Sequence, residues 1–252
     1  MKKELDVAIK AAKESGKILK KYFGKDFGIY KKSDSTPVTD VDRLAEKKIV
    51  SIIKIHFPNH NFLGEEFKYE KTNSEFKWII DPIDGTKHFI RKLPFYGTSI
   101  GLEKNGKIIL GVIYMPSLGL LGHAALNSGA FVNGKRVKVS EINKIEDSYV
   151  TFGDINNVVE MEYIDNLLEL TKLAESNRGF ADVYGYLMVA QGNVDIFTDT
   201  ASPWDIAAAK IIIEEAGGKM TDLNGKDTIY SGNALATNGK LHDEVLKILK
   251  RK

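Results

Sequence analysis

The chain has 252 residues, enough for one large domain or two modest ones, each with a real core. A hydrophobic fraction of 43% and a charged fraction of 28% are ordinary for a globular protein, and a net charge of +2 with lysines spread along the chain offers no basic tract for nucleic acid or a membrane surface. The absence of cysteine excludes disulfides, thiolate metal sites and a cysteine nucleophile, so any metal must be held by oxygen or imidazole.

The opening residues Met1-Lys2-Lys3-Glu4-Leu5 run into a charged pattern without the apolar core of a signal peptide, and no segment is long enough to span a bilayer. The expectation is a cytoplasmic protein. Leu5, Ile9, Ala12, Gly16, Leu19 and Phe23 recur at helical spacing and predict an amphipathic helix ended by Gly24. Residues 24–37 are polar and read as an exposed loop, free to close over a site. A second helix follows with an acidic start, in which Thr39 and Asp42 have capping-box spacing. His56 and His60 lack the spaced partner that zinc requires and are expected to face solvent.

Asn61 to Gly64 reads as a short strand ending in the paired acids Glu65 and Glu66, which must be either solvated or bound to a cation. Residues 68–75 form a charged connection. Phe76 to Ile80 is a buried strand that stops at Asp81, closed by Pro82. Asp81 and Asp84 then lie three residues apart with the Ile83 carbonyl between them, and Gly85-Thr86 opens a short helix. Two close carboxylates repel each other, and a hard cation such as magnesium relieves this. A helix N-terminus beside them suits a phosphate, with the Thr86 hydroxyl able to orient a water. An Asp-Pro turn followed by a helix cap accounts equally for these residues taken alone.

From Tyr96 to about Ser140 the pattern becomes an antiparallel meander, clearest at the Asn133-Gly134 hairpin. The second half alternates: a strand at 148–152, one helix at 159–173, an apolar helix at 183–190, a strand at 194–198, a helix from Pro203 to Ala216, two short strands and a closing helix at 241–249. Asp205, in the first turn of its helix, reads by itself as a dipole-compensating cap, as does Asp182.

Taken together, Gly64-Glu65-Glu66, Asp81-Pro82-Ile83-Asp84-Gly85-Thr86 and Pro203-Trp204-Asp205-Ile206-Ala207-Ala208-Ala209, followed by Glu215-Ala216-Gly217-Gly218, resemble the inositol monophosphatase family over nearly the whole chain. The resemblance implies an α/β fold, a layered α-β-α-β-α sandwich of the inositol monophosphatase and fructose-1,6-bisphosphatase type. Its N-terminal part, residues 1–142, would carry the metal and phosphate motifs, and its C-terminal part, 143–252, the Trp-Asp motif and the substrate-selecting residues. It implies magnesium bound by Glu65, Asp81, the Ile83 carbonyl, Asp84 and Asp205, with Asp42 helping to hold a weaker magnesium and pairing with Thr86 to activate water. Glu66 would act behind these ligands, and the Gly85 and Thr86 N–H groups would hold phosphate. A homodimer, lithium sensitivity and a small phosphorylated metabolite as substrate are implied too. No motif position departs from the pattern, which argues against a non-catalytic regulatory homologue.

The run Arg178-Gly179-Phe180-Ala181-Asp182-Val183-Tyr184-Gly185-Tyr186, with Lys87 and Ser202-Pro203-Trp204-Asp205, is similar to the histidinol-phosphate phosphatase branch. That likeness implies L-histidinol phosphate as substrate, with Asp182, Tyr184 and Asp199 contacting the alcohol part. An inositol monophosphate, or a broader range of sugar phosphates and nucleotide 3′-phosphates, is the alternative. The chemical sense is that histidinol phosphate carries an ammonium for Asp182 or Asp199 to pair with, whereas inositol carries none.

Overall fold

The computed structural model describes residues 1–32 and 36–250. The N-terminal repeat forms α1 (Lys2–Tyr22), which buries Val7, Ala8, Ala11, Ala12 and Leu19 on one face. The expected loop is instead partly a small antiparallel hairpin, β1 (Ile29–Lys31) with β2 (Pro37–Thr39), Tyr30 opposite Val38. Its polar composition hides an anchor, because Val38 and Thr39 are buried and lead directly into α2 (Asp40–His56). The tip of the segment expected to close over the site, residues 33–35, lies outside the described residues.

β3 (Asn61–Gly64) pairs in parallel with β4 (Phe76–Asp84). β4 does not stop at Asp81. Pro82 has no N–H to give the ladder, so the pairing skips: Asp81 faces Ser99, and the next pair is Asp84 with Gly97. The Pro82 carbonyl accepts instead from the Thr98 hydroxyl at 2.9 Å. After α3 (Thr86–Ile90) the meander runs through β5 (Gly97–Lys104), β6 (Lys107–Met115), β7 (Leu120–Ala125), β8 (Ala130–Val132) and β9 (Lys135–Val137), completing a seven-stranded sheet in the order β3 to β9.

The second half begins with β10 (Tyr149–Phe152). The single helix expected at 159–173 is two, α4 (Ile155–Glu160) and α5 (Ile164–Leu173). Asp154 caps α4 by accepting from Asn156 N–H at 3.0 Å, and Glu162, at φ 60°, turns the chain so that Val158 and Leu167 are both buried. Then come β11 (Ser176–Arg178), which the sequence reading lacks, α6 (Asp182–Ala190), β12 (Ile196–Asp199), α7 (Pro203–Glu215), β13 (Lys219–Thr221), β14 (Ala234–Thr237) and α8 (His242–Leu249). Their strands form a five-stranded sheet, β11-β10-β12-β14-β13.

The layers follow from which faces are apolar. α1 and α2 cover the outer face of the large sheet, α6 and α7 fill the space between the sheets, and α5 and α8 cover the outer face of the small one. The result is the expected α-β-α-β-α sandwich. The central core draws on residues either side of 142, from Ile79 to Ala236. α7 lies close on the large sheet because its inner face is Ala207-Ala208-Ala209 and the strands beneath offer glycine. A methyl group on Gly101 would come within 2.7 Å of Ala207 Cβ, and one on Gly111 within 2.8 Å of Ala208 Cα. Among the described residues, no helix is long and apolar enough to cross a membrane.

At the start of α8, His242 is buried, with Nε2 2.9 Å from Thr221 Oγ1 and Nδ1 3.0 Å from Thr237 Oγ1. Burial, with a smaller push from Lys219, lowers its pKa to about 4. Below about 6.5 the unfolded chain takes up a proton here that the folded protein refuses until about 4, so this site costs stability as pH falls through that window. Thermal unfolding of wild type and His242→Gln from pH 7.5 to 4.5 checks this: wild type loses a few degrees relative to the variant on the acid side. Parallel curves would refute it.

Candidate active site

The bulged end of β4 and the first turn of α7 bring Asp81, Asp84 and Asp205 together, with one carboxylate oxygen from each within 4.8 Å of the others. Each carboxylate is tethered through one oxygen to a backbone N–H: Asp81 Oδ1 by Ile83 at 2.8 Å, Asp84 Oδ2 by Val183 at 2.7 Å, and Asp205 Oδ2 by Ser202 at 2.6 Å. The backbone thus fixes the direction of each carboxylate within the cluster. Sequestration from water pushes all three pKa values up, Asp205 to about 6 and the other two well above the ordinary range, and their mutual repulsion adds to the effect at Asp81 and Asp84. Such a cluster calls for more positive charge than Lys32, which acts on Asp205, supplies.

Asp42, at the start of α2, is fully buried. Its Oδ2 accepts from the Thr39 N–H at 2.8 Å and from the Thr39 hydroxyl at 2.5 Å, completing the expected capping box. Its Oδ1 is 3.2 Å from Thr86 Oγ1, which also lies 2.9 Å from the Ile83 carbonyl oxygen. Cap and hydroxyl pair are thus one arrangement. Burial raises the Asp42 pKa to about 6 against the hydrogen bonds from Thr39. Gly85, at φ 83°, opens α3 with no side chain capping its first turn.

Glu65 and Glu66 are joined by a residue that the sequence reading missed. Lys32, beside the β1–β2 tip, sets its Nζ 2.6 Å from Glu65 Oε1 and 2.7 Å from Glu66 Oε1. Burial works against its charge, but the two glutamates override this and hold it as ammonium. Burial still lifts Glu65 to about 7. Glu46, also missed, is fully buried on α2 and accepts from the Glu66 and Phe67 N–H groups at 2.8 and 3.1 Å and from the Tyr69 hydroxyl at 2.8 Å. It pins the Glu65-Glu66 turn to the helix that carries Asp42. Its signal, a lone Glu at i+4 from Asp42, looks like any exposed helical acid.

These groups open into a cleft of about 380 Å³ lined by Glu65, Asp84, Gly85, Thr86, Asp182, Asp199 and Asp205, with Lys87 and Asp154 paired across it at 3.0 Å. Of the three residues expected to contact the alcohol part, Asp182 and Asp199 line this cleft and Tyr184 does not. Its ring packs on Phe95 and Phe180, with centroids 5.2 and 5.9 Å away, and it is absent from the cleft wall. In a helix beginning at Asp182, a residue two positions on points about 200° away from the first. Asp81 and Glu66 do not line this cleft either. Tyr186 is buried with no protein partner for its hydroxyl, and its pKa is raised by burial and then by Asp199, Asp205 and Asp84. The Thr200 hydroxyl is also buried and unpartnered. Neither polar atom is legible from an apolar helix or a strand end. His56 and His60 stay outside the site. His60 is not solvent-facing but stacked between Phe57 and Phe76, accepting from Trp78 Nε1 at 3.1 Å.

Comparison with known proteins agrees with this geometry. The model of the inositol monophosphatase family matches residues 1–252. The chain belongs to that family. It is 40% identical to a histidinol-phosphatase of Chlorobaculum parvum, over 94% of this chain and 92% of that protein. It is 37% identical to a fructose-1,6-bisphosphatase/inositol-1-monophosphatase of Thermotoga maritima, over 97% and 95%. The solved structure of a Thermotoga maritima IMPase superposes with a TM-score of 0.90 at 36% identity, covering 99% of this chain and 97% of that one. The protein is thus a phosphatase of a metal-dependent family, and its site fits a metal: the donors are hard carboxylate oxygens, converging, tethered from behind and short of positive charge.

Lys32 supplies part of that missing charge from the protein itself. Removing it leaves buried glutamates uncompensated, a loss of about 1–3 kcal/mol for groups partly open to water. Lys32→Met is expected to lower the unfolding midpoint of the metal-free protein, and magnesium to raise the midpoint of the variant by more than that of wild type. Equal magnesium-induced shifts measured by differential scanning fluorimetry would contradict this account of Lys32.

Proposed function

We propose that this phosphatase is magnesium-dependent and that its preferred substrate is L-histidinol phosphate, which would assign it to histidine synthesis in the cytoplasm, acting as a homodimer. In this reading Glu65, Asp81, the Ile83 carbonyl, Asp84 and Asp205 hold the metal, with Asp42 contributing to a further, weaker ion. When bound, magnesium neutralises the phosphoryl oxygens, lowers the pKa of water and stabilises the leaving alkoxide. The chain's own residues do the rest. The Gly85 and Thr86 N–H groups receive the phosphate at the uncapped start of α3. Thr86 Oγ1 and Asp42 orient the attacking water and draw its proton, the hydroxyl lying 3.2 Å from the carboxylate. Glu66 supports Glu65 from behind.

The observation that carries the choice of substrate is the Asp182 carboxylate, set in the cleft wall beside Gly85 and Asp84. A phosphate seated on Gly85 would leave its alcohol part next to a negative group suited to an ammonium. Asp199, on the same wall, adds to that preference. The names of relatives such as the Chlorobaculum parvum protein support it. The name of the Thermotoga maritima relative supports a second substrate, inositol 1-phosphate, whose hydroxyls the polar side chains of Asp154, Asn157 and Thr200 could meet.

Phosphate release with magnesium from L-histidinol phosphate and inositol 1-phosphate, compared as kcat/KM, tests both parts. Asp84→Asn and Thr86→Ala should each lower kcat by at least about 100-fold on either ester. Asp182→Ala should abolish a preference for histidinol phosphate of about tenfold or more while sparing most of the turnover of inositol 1-phosphate. Equal rates in wild type, or a preference that survives Asp182→Ala, would transfer the assignment to the second substrate.

A further inference from the structure

Asp182 has two peculiarities. Its backbone is in the left-handed region, φ 58°, which costs a non-glycine residue about 1–2 kcal/mol. Its neighbours enforce that conformation, because the next N–H, that of Val183, is committed to Asp84 Oδ2 at 2.7 Å, and the Gly185 N–H returns to the Ala181 carbonyl at 3.3 Å. Its carboxylate is moreover not free to turn. His88, on α3, sets its Nδ1 2.9 Å from Asp182 Oδ2. The same Nδ1 is 3.0 Å from the Phe95 carbonyl oxygen.

The tautomer follows. A carbonyl oxygen and a carboxylate oxygen are both acceptors, so Nδ1 must carry the proton and donate to both. His88 is therefore a fixed donor, held by the backbone at Phe95 and by its ring edge-on to the Phe95 ring, with centroids 6.2 Å apart. It takes one oxygen of Asp182 and leaves the other. Both side chains are about 30% exposed and line the cleft beside Gly85. A lone surface carboxylate would sample several rotamers and gain little from an ammonium in water. One whose orientation is already set loses less freedom on binding and presents its second oxygen in one direction.

We propose that His88 is a specificity-determining positioning residue: by binding Asp182 Oδ2 it presents Oδ1 to the cationic amine of the substrate's alcohol part. The inference rests on the reading of Asp182 given above, and extends it to the residue that holds Asp182 in place. His88→Leu removes the donor and keeps bulk; His88→Asn keeps a side-chain N–H close to the position of Nδ1. Asn therefore serves as the conservative rescue.

The experiment measures kcat and KM for L-histidinol phosphate and inositol 1-phosphate, with saturating magnesium, in wild type, His88→Leu, His88→Asn and Asp182→Ala. The ratio of kcat/KM for the amine ester to that for the neutral ester should fall about tenfold in His88→Leu, mainly through KM of the amine ester, and return to within about threefold of wild type in His88→Asn. An unchanged ratio in His88→Leu, with the ratio collapsed in Asp182→Ala, overturns the role of His88 and leaves the substrate reading standing. A ratio untouched by Asp182→Ala overturns the substrate reading, and this inference with it. A loss common to both esters and to both His88 variants, with no change in ratio, would mean that His88 serves only to hold α3 in shape, and also overturns the proposal.

Discussion

The mutual repulsion of Asp81, Asp84 and Asp205 is the constraint to which the rest of the structure answers. Carboxylate oxygens within 4.8 Å of one another and largely shut off from water are unfavourable in any fold that lacks a cation for them. Holding them there requires rigid elements from two distant stretches of chain: the bulged end of a central strand, and a helix wedged between two sheets. The glycines at 101 and 111 matter for this reason. They let α7 settle close against the strands beside β4, so that the first turn of the helix carries Asp205 up to the strand's acids.

The same economy shows in the caps. Thr39 with Asp42, and Ser202 with Asp205, each form a reciprocal capping box at a helix start. In both, the acid that closes the box turns its other oxygen towards the site. Structural and chemical readings of such a residue are therefore not rivals. A carboxylate has two oxygens, and tethering one to a backbone N–H fixes the direction of the other with little loss of side-chain freedom on binding. Asp84 follows the same rule with Val183, and Asp182 with His88.

This explains what the sequence discloses and what it withholds. The helical repeat of Leu5 to Leu19, the Asn133-Gly134 hairpin and the Asp81 to Thr86 motif are local patterns, and each marks its element directly. The sandwich is legible through the family resemblance, because the two motifs come from the two halves that must meet. Nothing local predicts Lys32 on Glu65 and Glu66, or Glu46 under the turn that follows β3. These depend on partners more than about ten residues away in sequence. The break between α4 and α5 is silent for a different reason: the left-handed residue that makes it is Glu162, and no glycine or proline in 155–173 marks the turn. Tyr184, two positions after Asp182, turns to the far side of the helix and packs on Phe95.

The division of labour within the cleft follows from rigidity. The acids of the metal site hang from β4 and α7, elements packed on both sides, and a shift in either would disturb the central core. The groups proposed to meet the alcohol part sit on lighter scaffolding: the five-residue α3, the strained first residue of α6, and the cap of the short α4. The start of α6 is nevertheless tied to the acids, because the Val183 N–H holds Asp84 Oδ2 at 2.7 Å. A common acidic centre with an exchangeable alcohol-side wall is what a family needs if its members are to share a reaction and differ in substrate. It also makes fold and metal ligands poor guides to the ester consumed. Asp182 with His88 is informative for the converse reason. It is a polarised, oriented pair whose side chains are partly exposed in the cleft wall rather than packed in the central core.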